Sequence, residues 1–229
     1  VAADDTQLVD EPEIEQLQLA DWRRRIAELY AEVRHLSRDD PRSAHARWRA
    51  VREQLYRHHP ASPLPADKRA SFRALYFPYD DALRFEARLI PGTQGEATAP
   101  AGPPGPSIGL ALPISTGQPR TFDRVGWLDL TFRGGARRLG LFWLSEYSGG
   151  LFLAFRDGTN GRETYGGGRY VLDTGKGADL GGDPVASTVV VDFNFSYQPS
   201  CAFDPRWSCP LAPPENKLDL AVRAGERIA

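Results

Sequence analysis

The stretch RRLGLFWL, residues 137–144, constrains this chain more than any other. Side chains alternate across a strand, so Leu139, Leu141 and Trp143 face one way and Phe142 and Leu144 the other. Both faces are apolar. LFLAFRD at 151–157 has the same character. Strands of this kind must be buried on both sides. One face can line the interior of a barrel or sandwich; the other needs a separate cover. By contrast VGWLDLTF, 125–132, sets Leu128, Leu130 and Phe132 against Asp129 and Thr131, as a half-exposed strand does.

Further strand-like runs surround these: FRALYF from Phe72, then LRFEARLI, IGLALPI, ETYGGGRYVL and STVVVDFNF. RGGA, SEYSGG, DGTNG and DTGKGADLGGDP punctuate them as turns. No helix-length pattern interrupts the series, which argues against parallel βαβ units. The missing cover lies upstream. Trp22, Ile26, Leu29, Val33 and Leu36 form one apolar stripe, opposite Arg24, Arg25, Glu28 and Glu32. Asp40-Pro41 reads as a cap and first residue of a second helix, with the stripe Ala44, Trp48, Val51 and Leu55. Pro60 stops it. The expected fold class is α+β and β-rich: an antiparallel barrel or tightly packed sandwich with an N-terminal helical hairpin packed outside. Its expected parts are a loose acidic tail (1–13), the hairpin (14–60) and the β-domain (61–229), forming one cooperative unit. The β-domain includes a mobile Pro/Gly/Ala-rich loop (91–107) and a Pro/Cys-rich closing loop (197–217).

Composition excludes some function classes. A net charge of −2 argues against a general phosphate-backbone binder, so no nucleic-acid partner is expected. No apolar run approaches the ~20 residues that span a bilayer, so no membrane partner is expected either. Three of the 28 basic residues are lysine and the other 25 arginine. Arginine suits carboxylate or phosphate recognition, although a coding bias produces the same count. The chain starts at Val1 and contains no Met, so its start is read as processed or trimmed. Two cysteines do not establish an oxidising compartment, and a cytoplasmic location is expected.

The glycine-rich run from Asp157 to Gly182 fits no phosphate loop, because Gly177 follows Lys176 where Ser or Thr is required. DGTNG lacks the later Glu of a calcium loop and reads as a turn. Gly166–Gly168 marks a bulge or a close backbone approach, holding Tyr165 and Arg169 on a bent strand. His58 and His59 suit a helix C-terminus. No metal and no cofactor is required. Cys201 and Cys209, eight positions apart, are not a Cys-x-x-Cys couple. Their spacing allows a local disulfide or two buried free thiols, either of them a structural brace, ahead of a catalytic thiol, for which no activating base is visible. Asp192 and Asn194 alternate with Phe193 and Phe195, so both point to one face and need partners if it is interior. Tyr197, Arg206, Glu215 and Asn216 in the closing loop could supply them or line a pocket.

FRDGTNGRETYGGGRYVLD, VVDFNFSYQPSCAFDPRWSCPLAPPENKL, AVRAGE, HPASPL and LYFPYD together resemble the bacterial and archaeal family catalogued as domain of unknown function 1684. The likeness runs from Trp22 to Ile228. The family pattern reads Tyr-Asn-Pro before the first cysteine, where this chain has Gln198. The resemblance carries no activity, cofactor or catalytic residue. It implies only that Asp157, Thr159, Tyr165, Arg169, Asp192, Asn194, both cysteines, Glu215 and Asn216 belong to the family's signature. The expected function is a small-molecule enzyme or ligand-processing protein, with a pocket at the barrel end between the glycine-rich strand and the closing loop. Tyr165 and Glu215 are its candidate catalytic residues, as proton donor or acceptor. Arg169, as anion binder, and Asp192, Asn194, Tyr197 and Asn216 are its candidate ligand-binding residues. A non-catalytic module holding an apolar or anionic ligand, and a structural protein with a filled barrel, are the alternatives.

Overall fold

A computed structural model of the chain describes residues 12–92, 109–112, 114–116, 120–144 and 149–228. The acidic tail expected at 1–13 lies outside them apart from the helical backbone of Pro12 and Glu13, and so does the 91–107 loop beyond Gly92.

Helix α1 spans Pro12–Leu36 and α2 spans Pro41–His58. The Asp40 carboxylate accepts the Ser43 backbone N–H at 3.0 Å, and Pro41 takes the first helical position. Ile26, Leu29, Tyr30 and Val33 of α1 are buried, and so are Ala44, Trp48, Leu55 and Tyr56 of α2. Leu36, expected to end the first stripe, is exposed, while Ser37 beyond it is buried. The buried row here follows the i+4 step from Val33 to Ser37 rather than the i+3 step to Leu36. A short helix α3, Ala66–Arg69, follows the hairpin.

Eight strands form the main sheet: β2 Arg84–Pro91, β3 Gly109–Leu112, β4 Arg120–Phe132, β5 Gly135–Leu144, β6 Leu151–Phe155, β7 Arg169–Asp173, β8 Gly182–Asp183 and β9 Thr188–Asp192. Their order is β7-β6-β5-β4-β2-β9-β8, with β3 beside β4, and every pairing is antiparallel. The sheet curls into a half-barrel with the helical pair outside. Between β7 and the segment after β9, Tyr170 and Tyr197 exchange both backbone hydrogen bonds at 2.9 Å. This pair fastens the open side. FRALYF contributes only β1, Leu75–Tyr76, which pairs with β10, Glu226–Arg227, in a separate ribbon.

The two-sided strands separate two cores. Leu128, Leu130, Leu139, Leu141, Leu153, Phe155 and Phe193 fill the inner face. Phe122, Phe142, Phe152 and Tyr170 of the outer face pack with Ile26, Tyr30, Val33, Trp48 and Phe195. The helical hairpin is the cover that RRLGLFWL and LFLAFRD demanded. Asp129 and Thr131 are exposed, as the alternation of β4 requires.

Two strand expectations need correction. STVVVDFNF is a strand only to Asp192, because the Asp192 carboxylate accepts the Asn194 N–H at 2.9 Å and turns 193–195 into a 3-10 helix. Asp192 and Asn194 are therefore not alternate positions of one strand. ETYGGGRYVL becomes a strand only at Arg169. Tyr165 sits in the preceding turn, not on a bent strand. Gly168 has φ +99°, and a Cβ there would lie 2.5 Å from the Phe155 carbonyl oxygen. The glycine marks a close backbone approach that no side chain allows.

Candidate functional site

Arg169 is fully buried in the inner core. Its Nη1 donates to the carbonyls of Ala224 and Glu226, and its Nη2 to the Val222 carbonyl at 2.8 Å and the Asp157 carboxylate at 3.5 Å. Asp157 also accepts the Val222 N–H at 2.6 Å and the Thr159 hydroxyl at 2.9 Å. This pair pins the C-terminal segment across the half-barrel. No ligand reaches the guanidinium without displacing that segment. The turn DGTNG thus supplies a structural node.

Asp192 and Asn194 form a second node. The Asp192 carboxylate accepts the Asn194 amide at 2.7 Å, the Tyr79 hydroxyl at 3.0 Å and Arg84 at 3.1 Å. Asn194 in turn accepts the Asp80 N–H at 2.8 Å and donates to its carbonyl. Burial raises the Asp192 pKa, against the hydrogen bonds from Asn194 and Arg84. The partners expected from the closing loop are instead Tyr79, Asp80 and Arg84. Arg206 reaches Asp204 and the Ser62 carbonyl.

Asn216 is a third node. Its amide bonds both backbone groups of Gly140 and the Ala154 carbonyl, at 2.7–2.9 Å, stitching the closing loop to β5 and β6. Glu215 beside it pairs with Arg124 at 2.7 Å. Tyr165 stands elsewhere, its hydroxyl 3.8 Å from the Cys201 sulfur. Among the described residues, the two candidate catalytic residues share no hydrogen-bond partner.

Tyr197 and Cys209 do reach a common space. A cavity of about 210 Å³ lies between α1, α2, the chain after β7 and the closing loop. Trp22, Ile26, Tyr30, Tyr56, Tyr197 and Trp207 give it flat apolar walls. Arg23, Arg52 and Lys176 give it cations, of which Lys176 is already paired with Asp173 at 2.7 Å. Arg52 is buried, its guanidinium 4.6 Å from the Tyr197 ring centre, and it pairs with Glu226 at 3.1 Å. Burial works against its charge, but the Glu226 carboxylate together with Tyr56 and Tyr76 holds its pKa up. A larger groove of about 820 Å³ runs between α1 and α2. It is open to water, and several of its charges are already matched: Arg25 with Asp21, Arg47 with Glu32, His59 with Asp21. His59 caps α2; its Nδ1 accepts the Ala61 N–H at 3.1 Å, which leaves Nε2 to donate to Asp21.

Spacing offered a signal for Arg52: it falls four residues after Trp48 on the buried stripe of α2, as Trp48 falls four after Ala44. His45, beside Ala44, was a second unread position. Its ring packs among Trp48, Tyr76, Tyr79 and Phe195, and its Nε2 has no partner. Burial, reinforced by Arg49 on the same helix and opposed by a bond to the Asn194 backbone, lowers its pKa from 6.5 to about 4. The unfolded chain therefore takes up a proton between about pH 6.5 and 4 that the folded chain refuses. Stability should fall through that window as pH drops, by about 3 kcal/mol at most. His45→Phe should remove that part of the slope in urea denaturation series at pH 7, 5.5 and 4. An unchanged slope would discard His45 as its source.

Cys201 and Cys209 are free thiols. The Cys201 N–H donates to the Cys209 sulfur at 3.4 Å, so the loop between them does fold back on itself. Among the described residues, no group of three or more His, Cys, Asp or Glu is placed to hold a metal ion. Among the described residues, no helix is long and apolar enough to cross a membrane.

Fold and cavity define a class: a curled antiparallel sheet roofed by a helical hairpin, with a small aromatic-lined cavity where the roof meets a proline-rich C-terminal loop. The chain belongs to the family described as "Protein of unknown function (DUF1684)", which matches residues 70–227. The hairpin and HPASPL precede that range. A similar solved structure is the solution NMR structure of the uncharacterized protein from gene locus rrnAC0354 of Haloarcula marismortui. It is 32% identical with a TM-score of 0.52, and the match covers 79% of this chain and 90% of that one. No curated protein matches the chain significantly.

Proposed function

We propose that this protein binds a small organic anion with a flat apolar body in the 210 Å³ cavity between the hairpin and the closing loop. The observation that carries the reading is the wall chemistry: three cations and a set of aromatic rings, with no carboxylate among the described lining residues. Arg52 takes the anion-binding role expected of Arg169, since a planar guanidinium suits a carboxylate. Its existing partner Glu226 lies behind the wall, not in it. Tyr197 lines the cavity and serves as a ligand contact in this reading. Gln198 lines the same space, and its buried carbonyl oxygen lacks a protein donor, so it can accept one from the ligand. The volume lies below the ~300 Å³ at which drug-sized sites begin, which favours a ligand near the size of an aromatic acid.

A binding module is the form favoured over an enzyme. Neither Tyr165 nor Glu215 lines the cavity, and the tyrosines that do have pKa values raised by burial. The filled half-barrel supports the view that any ligand sits outside the sheet. A cytoplasmic location accompanies this reading, since thiols stay reduced there.

Trp22 and Trp207 line the cavity, so fluorescence reports on it. Benzoate, phenylacetate and 4-hydroxybenzoate should give a saturable change, and uncharged benzamide none. Ala178→Leu, which pushes a larger side chain into the wall, should abolish the response while circular dichroism stays native. Silence towards all three acids, or equal binding by a folded Ala178→Leu protein, would overturn the reading.

A further inference from the structure

We propose that Cys201 and Cys209 form a thiol–disulfide exchange site for low-molecular-weight disulfides, with Cys201 as the attacking sulfur and Cys209 as the resolving one. The 201–209 loop brings the Cys201 backbone N–H to the Cys209 sulfur at 3.4 Å, and the Cys201 sulfur lies 3.8 Å from the Tyr165 hydroxyl. A disulfide needs the sulfurs to close to about 2.05 Å, and the loop already folds the two residues onto each other. The pair is asymmetric. Cys201 is half-buried and reachable; Cys209 is buried, with its N–H held by the Ser115 hydroxyl at 3.0 Å.

The surroundings favour a thiolate at Cys201. The Cys209 thiol beside it lowers its pKa first, against burial, and the Tyr165 hydroxyl, 3.8 Å from its sulfur, adds to that. Its pKa is lowered to about 6, whereas hydrogen bonding to Cys201 and burial push Cys209 up. Tyr165 is pushed up to about 12 by burial and by Cys201, so it remains a donor. Tyr165 is then a positioning residue for the sulfur, which gives that signature residue a role.

The chemistry balances without a cofactor. The Cys201 thiolate attacks one sulfur of RSSR, forming a mixed disulfide and expelling RS⁻, which takes a proton. The Cys209 thiol then loses its proton and attacks the Cys201 sulfur, releasing the second RSH. The dithiol is oxidised by two electrons and one RSSR is reduced to two RSH.

The resolving Cys209 lines the cavity and Cys201 does not, so the two readings share a wall and are told apart through Cys201. The native protein, reduced and desalted, is treated with 2-hydroxyethyl disulfide and followed by mass spectrometry. It should lose two hydrogens and retain no adduct. Cys209→Ser should stop at a mixed disulfide on Cys201, and Cys201→Ser should give no reaction. Iodoacetamide should modify Cys201 with a midpoint near pH 6. At pH 6 its rate should exceed that of an ordinary thiol by roughly tenfold, the gain in thiolate being partly offset by lower nucleophilicity. Tyr165→Phe should shift the midpoint upward. Thiols that stay silent until denaturation, a midpoint near about 8.5, or an adduct that persists on the native protein would each defeat the proposal. Carboxylate binding by Cys201→Ser separates a failure here from a failure of the cavity.

Discussion

Arg169→Met should cost the fold about 3–5 kcal/mol, the scale expected when one member of a fully buried ion pair is removed. For a chain of this size that corresponds to a melting temperature lower by about 6–20 °C. The reason is an imbalance of donors. The guanidinium serves the carbonyls of Val222, Ala224 and Glu226 together with the Asp157 carboxylate. Met fills similar volume but donates to none of them. The three carbonyls would lose this donor, Ala224 keeping only a 3.4 Å contact from the Ser196 hydroxyl, and the Asp157 carboxylate would be left with Thr159 and the Val222 N–H. Arg169→Lys should fall between the two, because one ammonium cannot reach acceptors spread along the C-terminal segment. Thermal and urea denaturation measure both. An unchanged melting temperature with lost ligand binding would return Arg169 to the ligand-contact role its sequence position suggested.

That example shows where sequence reasoning ran out. Apolar periodicity is local, so the hairpin, the two-sided strands and the need for a cover were all legible. Asp40 could be read as a cap because its partner is three residues away. Buried polar networks are not local. Asp192 finds Tyr79 and Arg84 more than a hundred residues upstream, and no spacing rule links them. Arginine was the hardest residue to read. Among 25 of them, Arg52 and Arg169 are buried nodes while Arg24 and Arg25 are solvated, and composition treats all alike. The strand end at Asp192 was recoverable in principle: Asp followed by a backbone N–H two residues on is a local turn that competes with a ladder. The cavity was half legible. Tyr197 and Cys209 lie in the loop singled out for its odd composition, but the facing wall comes from helices that looked like simple cover.

The Arg52–Glu226 pair joins that wall to the chain terminus, and breaking it should affect stability and binding in opposite directions. The two side chains are 5% and 1% exposed. Glu226→Gln keeps the shape and an acceptor for the Gln198 N–H, now bonded at 2.7 Å, but removes the counter-charge of a buried cation. The expected loss is again about 3–5 kcal/mol. Adding Arg52→Met should recover part of it, because no unpaired charge remains; coupling of about 0.5–3 kcal/mol is expected for groups in direct contact. Fully additive losses would mean that the pair contributes nothing specific. In Glu226→Gln the Arg52 charge faces the cavity without its partner. A carboxylate bound there becomes its counter-ion, so benzoate should bind the variant more tightly than the wild type and raise its melting temperature further. Stabilisation of both proteins by benzoate to the same degree would show that the anion does not meet Arg52. The arginine would then be a strut between α2 and β10, and the cavity's selectivity would fall to Lys176 and Arg23.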